Sequence, residues 1–263
     1  MAGGIGADYF LIYAKTNMKV PPHRSLSAFL VDRDMGVEVD EHYSLMGCRG
    51  MGAARIVLKD VEIPKQNLVG QLDGATEIFN AMMVPERLTS AAGAIGLGRA
   101  ALELAVRYAA RREAFGKTIS RYEGISFKIA DCATALDAAR GLVYRAARLA
   151  DAGQPSRKAV SQAKVFATEA CYQTVSDAMQ ILGGIGYTDV YPIERLFRDA
   201  RLATIWTGSS EIMRLIIQSD IFKEVLKEPK DTKRDVELDT PGAKKTVEKV
   251  YREDPTKYFP KKD

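Results

Sequence analysis

Histidine is nearly absent from this chain, with two among 263 residues: His23 beside a Pro-Pro turn and His42 in a polar stretch. Imidazole acid–base chemistry and histidine metal sites therefore have little material, and both residues read as solvated loop positions. Cysteine is scarce as well, since Cys48, Cys132 and Cys171 are widely spaced, odd in number and lack paired metal spacing. That argues against a disulfide frame and for reduced thiols, and no metal site is expected. Cys132 and Cys171 stand among alanines, as small core residues do. No apolar run reaches the roughly 18 residues of a membrane span. The amino-terminal MAGGIGADYFLIYAKT has no basic stretch followed by an apolar one, so no secretory signal and a cytoplasmic setting are expected. Charge of one sign is also missing, with 38 basic against 34 acidic residues and a net charge of +4. Without aromatic-basic interleaving, this excludes a nucleic-acid surface.

The chain is long enough, and at 46% hydrophobic apolar enough, to bury a substantial core. From residue 1 to about 70 the pattern has strand character in YFLIYA, SAFLVD and ARIVLKDVEIP, each bounded by glycine, proline or charge. So few strands cannot close a barrel, and a partial antiparallel β-domain with open edges is expected. GGIGAD at Gly3 to Asp8 resembles a dinucleotide loop, but no strand precedes it and no helix follows. After a connector from Gly70 to Gly74 the period changes to about 3.6 residues, and residues 71–226 read as an up-and-down, four-helix-bundle-type domain. The expected helices run from Pro85 through the REAF segment, from Tyr122 to Asp151, from Arg157 to Leu182, from Pro192 to Ala200 and from Ser209 to Val225. The fold class is thus mainly α with a small β part. Residues 227–263 are too polar for a core of their own and are expected to be largely flexible, with a helical turn near Lys244 to Tyr251.

Four bundle segments occur in order: RREAFGKTIS, QILGGIGY, YPIERLFRDARL and WTGSSEI. With ADYFLIYAKT and LMGCRGMGAARIVLKDVEIPKQNLVG ahead of them, they resemble the acyl-CoA dehydrogenase family over nearly everything from Gly6 to Leu226. The resemblance implies FAD as cofactor, held between subunits of a dimer of dimers, with an acyl-CoA substrate and an electron-transfer flavoprotein as acceptor. It places Arg112 and Phe115 against the cofactor, where a guanidinium offers planar paired donors to phosphate; a solvated cation at a helix end is the alternative. Gln180, Gly183 and Gly184 then let a nucleotide approach the backbone, although a plain glycine helix stop uses the same residues. Ser209 and Glu211 meet the cofactor at the start of the last helix, beside Gly208 and Ser210; an N-cap is the competing role, more so for Ser210 than for Ser209.

The reaction implied by this resemblance needs one carboxylate facing the carbon alpha to a thioester. Most of the family carries it in a Tyr-Glu-Gly-Thr segment, where this chain has Trp206-Thr207-Gly208-Ser209, and a threonine is no base. A minority, resembling the isovaleryl and long-chain enzymes, carries the glutamate on the first bundle helix before Arg-Leu, and Pro85-Glu86-Arg87-Leu88 fits that pattern. Glu86 is therefore the candidate base, with Arg87, Trp206 and Thr207 as candidate substrate contacts; a solvated first-turn glutamate and an indole wedged between helices are the alternatives for Glu86 and Trp206. Exclusion of water by a bound acyl chain favours the neutral acid, whereas a helix amino end and Arg87 favour the carboxylate. Glu123 departs from the glutamine that many relatives place near the flavin. Set against the family pattern, the first helical domain and first strands are missing, so the expected partner is a further copy or a chain supplying that part. A non-catalytic oligomerisation or nucleotide-binding module of the same fold is the alternative reading.

Overall fold

Period-two patterning over Tyr9–Lys15 (β1) and Leu26–Asp32 (β2) produces an antiparallel pair, in register from Tyr9 opposite Asp32 to Lys15 opposite Leu26. The computed structural model containing it describes residues 1–227, and the expected tail with its helical turn over 244–251 lies outside them. Glu38–His42 (β3) pairs with Ala54–Val57 (β4) in a second, two-stranded sheet with a register shift between Val39 and Glu41. Leu68–Val69 (β5) joins the free side of β2, giving the order β1-β2-β5. Phe10, Val31 and Val37 form the core of this part. The expected strand through ARIVLKDVEIP is cut short after Val57, and Asp60 turns the chain with φ of 49°. The Gly3 to Asp8 loop leads directly into β1, with no helix after it.

Three long helices follow: Ala75–Ala109 (α1), Glu123–Asp151 (α2) and Arg157–Leu182 (α3). Their shared interior is lined by small side chains, among them Ala94, Ala101, Ala105, Cys171 and Ala178 in one cluster and Ala91, Ala139 and Ala167 in another. Small residues let the axes approach closely, and at Gly98 an added Cβ would stand 2.8 Å from Leu136 Cδ2 and 3.4 Å from Cys171 Cα. Ile193–Ala203 (α4) packs across α1 and α3. Ser210–Lys227 (α5) is tied to α3 by Arg214 and Glu169 at 2.7 Å, an exposed pair of small energetic weight. The compact unit that holds the β part and the bundle ends at Gln218, within α5. Among the described residues no helix is long and apolar enough to cross a membrane.

Two expectations about the first helix are corrected. It begins at Ala75, and Pro85 lies inside it. An interior proline forfeits one backbone bond and crowds the preceding turn, at a cost of about 3 kcal/mol. The ten residues before it are helical nonetheless because the β part holds them. Thr76 Oγ1 donates to His23 O at 2.6 Å, Tyr13 Oη donates to Met82 Sδ at 3.5 Å, and the rings of Tyr13 and Phe79 meet edge to face at 6.0 Å. Tertiary contact overrides the local break. At its far end the helix stops at Ala109 instead of continuing through Phe115, and a hairpin forms from Glu113–Ala114 (β6) and Lys117–Thr118 (β7). Phe115 and Gly116 make its two-residue turn, with φ of 51° and 82°, as a tight right-twisted hairpin requires.

The β part meets the bundle again at α4. Cys48 N donates to Asp199 Oδ1 at 2.6 Å, and Arg198 Nη1 donates to Met46 O at 2.9 Å. Between them Gly47 lies so close to α4 that a Cβ would come within 2.5 Å of the Arg198 carbonyl. Backbone on both sides leaves nothing to yield. Gly47→Ala is expected to lower unfolding free energy by about 2 kcal/mol, the scale of overpacking. Gly98→Ala, opposed mainly by a leucine methyl that can turn, should cost less, and urea unfolding of the two variants checks the order.

Candidate active site

One face of α1 carries Glu86, Thr89, Ser90, Gly93, Ala94 and Leu97, spaced three and four residues apart. This face forms one wall of a cavity of about 500 Å³ and runs for roughly 16 Å at the helical rise. Cys48 from the β part, Asp199 and Ala203 from α4, Cys171 from α3 and the turn residues Trp206 and Thr207 complete the lining. Glu86, Trp206 and Thr207 are thereby brought together. Glu86 is exposed at the cavity, and among the described residues its carboxylate has neither a hydrogen bond nor an ion pair. It stands in the helix interior, not at the helix head, so the positive end of the helix dipole, which fades within the first turn, does not act on it.

Asp199 and Cys48, which sequence reasoning did not select, share this cavity. Asp199 is a second carboxylate, but one of its oxygens already holds the Cys48 amide. Burial first and then Asp199 push the Cys48 thiol up, so it lines the cavity as a neutral thiol. Burial pushes the Cys171 thiol up to about 12. The RDARL segment was visible in sequence as a motif; its opposition to the Met46-Gly47-Cys48 loop is a product of folding.

Arg87 is absent from the cavity lining. Its side chain is buried against the turn between α4 and α5, where Nε donates to Thr207 O at 3.1 Å, and desolvation followed by Arg157 holds its guanidinium below the ordinary value. Thr207 has φ of 52°, a strained conformation for a β-branched residue, and its hydroxyl reaches Ser90 Oγ at 3.4 Å. Gly208 follows with φ of 97°. Ser209 Oγ then accepts from Ile212 N at 3.5 Å, so Ser209 caps α5, whereas the buried Ser210 hydroxyl has no partner among the described residues. The Ser209 hydroxyl bond is the main reason that the exposed Glu211 carboxyl lies below its ordinary range.

A second, larger groove of about 990 Å³ collects Arg112, Phe115, Gly183 and Gly184, four residues from two separate sequence motifs. Tyr108, Arg111, Tyr122 and Tyr191 add walls that the motifs did not single out. Phe115 is 96% exposed at the tip of the hairpin, and a Cβ on Gly183 or Gly184 would meet open space. Gly183, at φ of 66°, ends α3, so the helix stop and the open backbone coincide at one residue. The exposed Gln180 precedes it on α3 outside the groove lining. Neither Ser209 nor Glu211 belongs to either lining, and the groove and the cavity share no residue.

Residues 73–222, more than half the chain, match the family described as acyl-CoA dehydrogenase, C-terminal domain. The chain is 40% identical over 218 residues to an acyl-CoA dehydrogenase of Bacillus subtilis, covering 82% of this chain and 57% of that protein. It is 39% identical over 220 residues to the caffeyl-CoA reductase-Etf complex subunit CarC of Acetobacterium woodii, again covering 82% and 57%. Among solved structures, butyryl-CoA dehydrogenase from Megasphaera elsdenii superposes with a TM-score of 0.81 at 31% identity, covering 84% of this chain and 58% of that one. The chain therefore spans a little over half the length of these relatives.

The groove depends on its hairpin, and the hairpin on Tyr122, whose hydroxyl lies 2.9 Å from Ala114 O and 3.0 Å from Phe115 O. Lys117 Nζ lies over the same ring at 4.3 Å. Tyr122→Phe keeps the ring and removes the donor. It is expected to destabilise the hairpin by about 1 kcal/mol, seen as faster amide exchange at Lys117 and Thr118 with α2 unaffected.

Proposed function

This chain belongs to the acyl-CoA dehydrogenase family, and on that premise we propose that it serves FAD-dependent α,β-dehydrogenation of an acyl-CoA thioester, with Glu86 as base. The observation that carries the reading is a carboxylate with no hydrogen bond or ion pair among the described residues, at a largely apolar cavity bounded by a helix face, Trp206 and Thr207. A carboxylate without internal bonds is free to accept the proton of a carbon made acidic by its thioester. Asp199, tied to the Cys48 amide, is less available for that task. By the resemblance, Thr207 stands at the position from which many relatives supply their base, and Glu86 lines the same cavity from α1. The acyl chain would run along α1 from Glu86 toward Leu97, over the open position at Gly93.

The second groove fits the proposed cofactor. Arg112 makes no side-chain hydrogen bond or ion pair among the described residues and supplies a guanidinium for phosphate, Phe115 a flat apolar face, and Gly183 and Gly184 a backbone without side chains in the way. Gln180 at the neighbouring turn, with Ser209 and Glu211 at the start of α5, is proposed to meet the same molecule. FAD, when bound, supplies the acceptor for the hydride from the β carbon. Because groove and cavity share no wall within one chain, the reading requires the groove of a second copy to complete the cofactor site beside Glu86, as in a dimer of dimers. A chain supplying further strands and helices would complete the β part. An electron-transfer flavoprotein is the proposed electron acceptor, in keeping with a relative whose name places it in an Etf complex.

Glu86→Gln is expected to leave the flavin spectrum unchanged and to lower turnover by about two or more powers of ten. Unchanged turnover with an acyl-CoA and an artificial acceptor would end the assignment. Protein that stays colourless with FAD and its partner chain supplied would favour the non-catalytic module instead.

Gly93→Leu is expected to shorten the cavity. Long acyl thioesters should lose at least about 10-fold in affinity relative to short ones, the scale of excluding one or two methylenes. Quenching of Trp206, the one tryptophan in the sequence, reads this directly. The helix should gain about 1 kcal/mol from replacing glycine, so a fall in Tm would point to a different packing at this position.

A further inference from the structure

Lys164 is fully buried on α3, and Arg87 beside it is 9% exposed. Among the described residues neither forms an ion pair. A buried cation without a carboxylate is costly unless its protons find oxygens. Here they find two consecutive carbonyls of one turn. Lys164 Nζ donates to Gly208 O at 2.8 Å, and Arg87 Nε donates to Thr207 O at 3.1 Å. The turn they hold contains the two left-handed residues Thr207 and Gly208, at φ of 52° and 97°. A threonine persists in that conformation only where its surroundings over-determine it. Among the described residues no peptide bond is cis, so C=O and N–H point oppositely across each plane, and the amides of Gly208 and Ser209 are turned away from the buried cations.

We propose that Lys164 is a positioning residue: with Arg87 it fixes the peptide planes of the Thr207-Gly208-Ser209 turn, and through them the cavity wall that Trp206 and Thr207 present opposite Glu86. The role in turnover rests on the dehydrogenase reading, whereas the clamp itself does not. Burial, then repulsion from Arg87 on α1, lowers the Lys164 ammonium to about 8, while Glu169 on its own helix and Glu211 on α5 act in the opposite direction. Because the value is lowered, the charged clamp is present below about pH 8 and the neutral amine, a weaker donor, above it. Thr207 and Gly208 should sense that change.

The test is nuclear magnetic resonance on the full 263-residue chain, following the amides of Thr207, Gly208 and Ser209 from pH 6 to 10. Their signals are expected to move through one transition near pH 8 that is lost in Lys164→Met. In Lys164→Arg they should stay at their low-pH positions throughout, which decides the matter even if the methionine variant does not fold. A transition that survives in either variant, or none in the native chain, would overturn the clamp. In the flavin-loaded assembly, Lys164→Met should lower kcat at least 10-fold with KM changed less than about threefold, and Lys164→Arg should restore most of it. A proportionate loss in KM alone would overturn the positioning role. Absence of turnover in every form, with the pH transition intact, would count against the dehydrogenase reading and leave the clamp supported.

Discussion

Two positive side chains enclosed in the bundle, with backbone carbonyls in place of carboxylates as partners, set the geometry on which the candidate site depends. Arg87 arrives from α1 and Lys164 from α3, so the turn between α4 and α5 is bound to two helices that are themselves packed through alanine and glycine. The strain at Thr207 is held by those contacts and by the rigid helices behind them. Removing either cation leaves a carbonyl without its side-chain donor, and so the cavity wall, the cap of α5 and the bundle interior are mechanically one arrangement.

Helix α1 plays the corresponding part on the opposite wall. It carries the cavity-facing row from Glu86 to Leu97, the clamp residue Arg87 and the glycine at the closest helix contact. Adjacent positions therefore serve different ends: Glu86 faces the cavity, while Arg87, about 100° around the helix, faces the interior. The β part contributes by anchoring the first turns of α1 and by pressing the Met46-Gly47-Cys48 loop against α4, which adds Cys48 to the cavity lining.

The large groove follows a different rule. Its hairpin presents Phe115 almost wholly to solvent, and its glycines leave backbone uncovered. Within one chain Gly183 serves as the stop of α3, but an aromatic ring left in solvent forgoes burial and open glycines cost chain entropy. Both are understandable where another molecule or another copy fills the space, and this is why the proposed assembly needs two chains to complete one cofactor site.

By itself the sequence determined the helical class, the extents of α2 and α3, the family resemblance and the choice of Glu86, because periodicity, glycine stops and local motifs are short-range signals. It also singled out Arg112, Phe115, Gly183 and Gly184, which line one groove. Only the tertiary structure decided that α1 runs through Pro85, since contacts from residues such as Tyr13 and His23 outweigh a local break. Folding likewise turned the REAF segment into a hairpin, gave the cap to Ser209, and brought Asp199 and Cys48 to the cavity. Lys164 is the clearest case: in the sequence it is one lysine on an amphipathic helix, and its meaning arises from a carbonyl 44 residues away that accepts its proton in the interior.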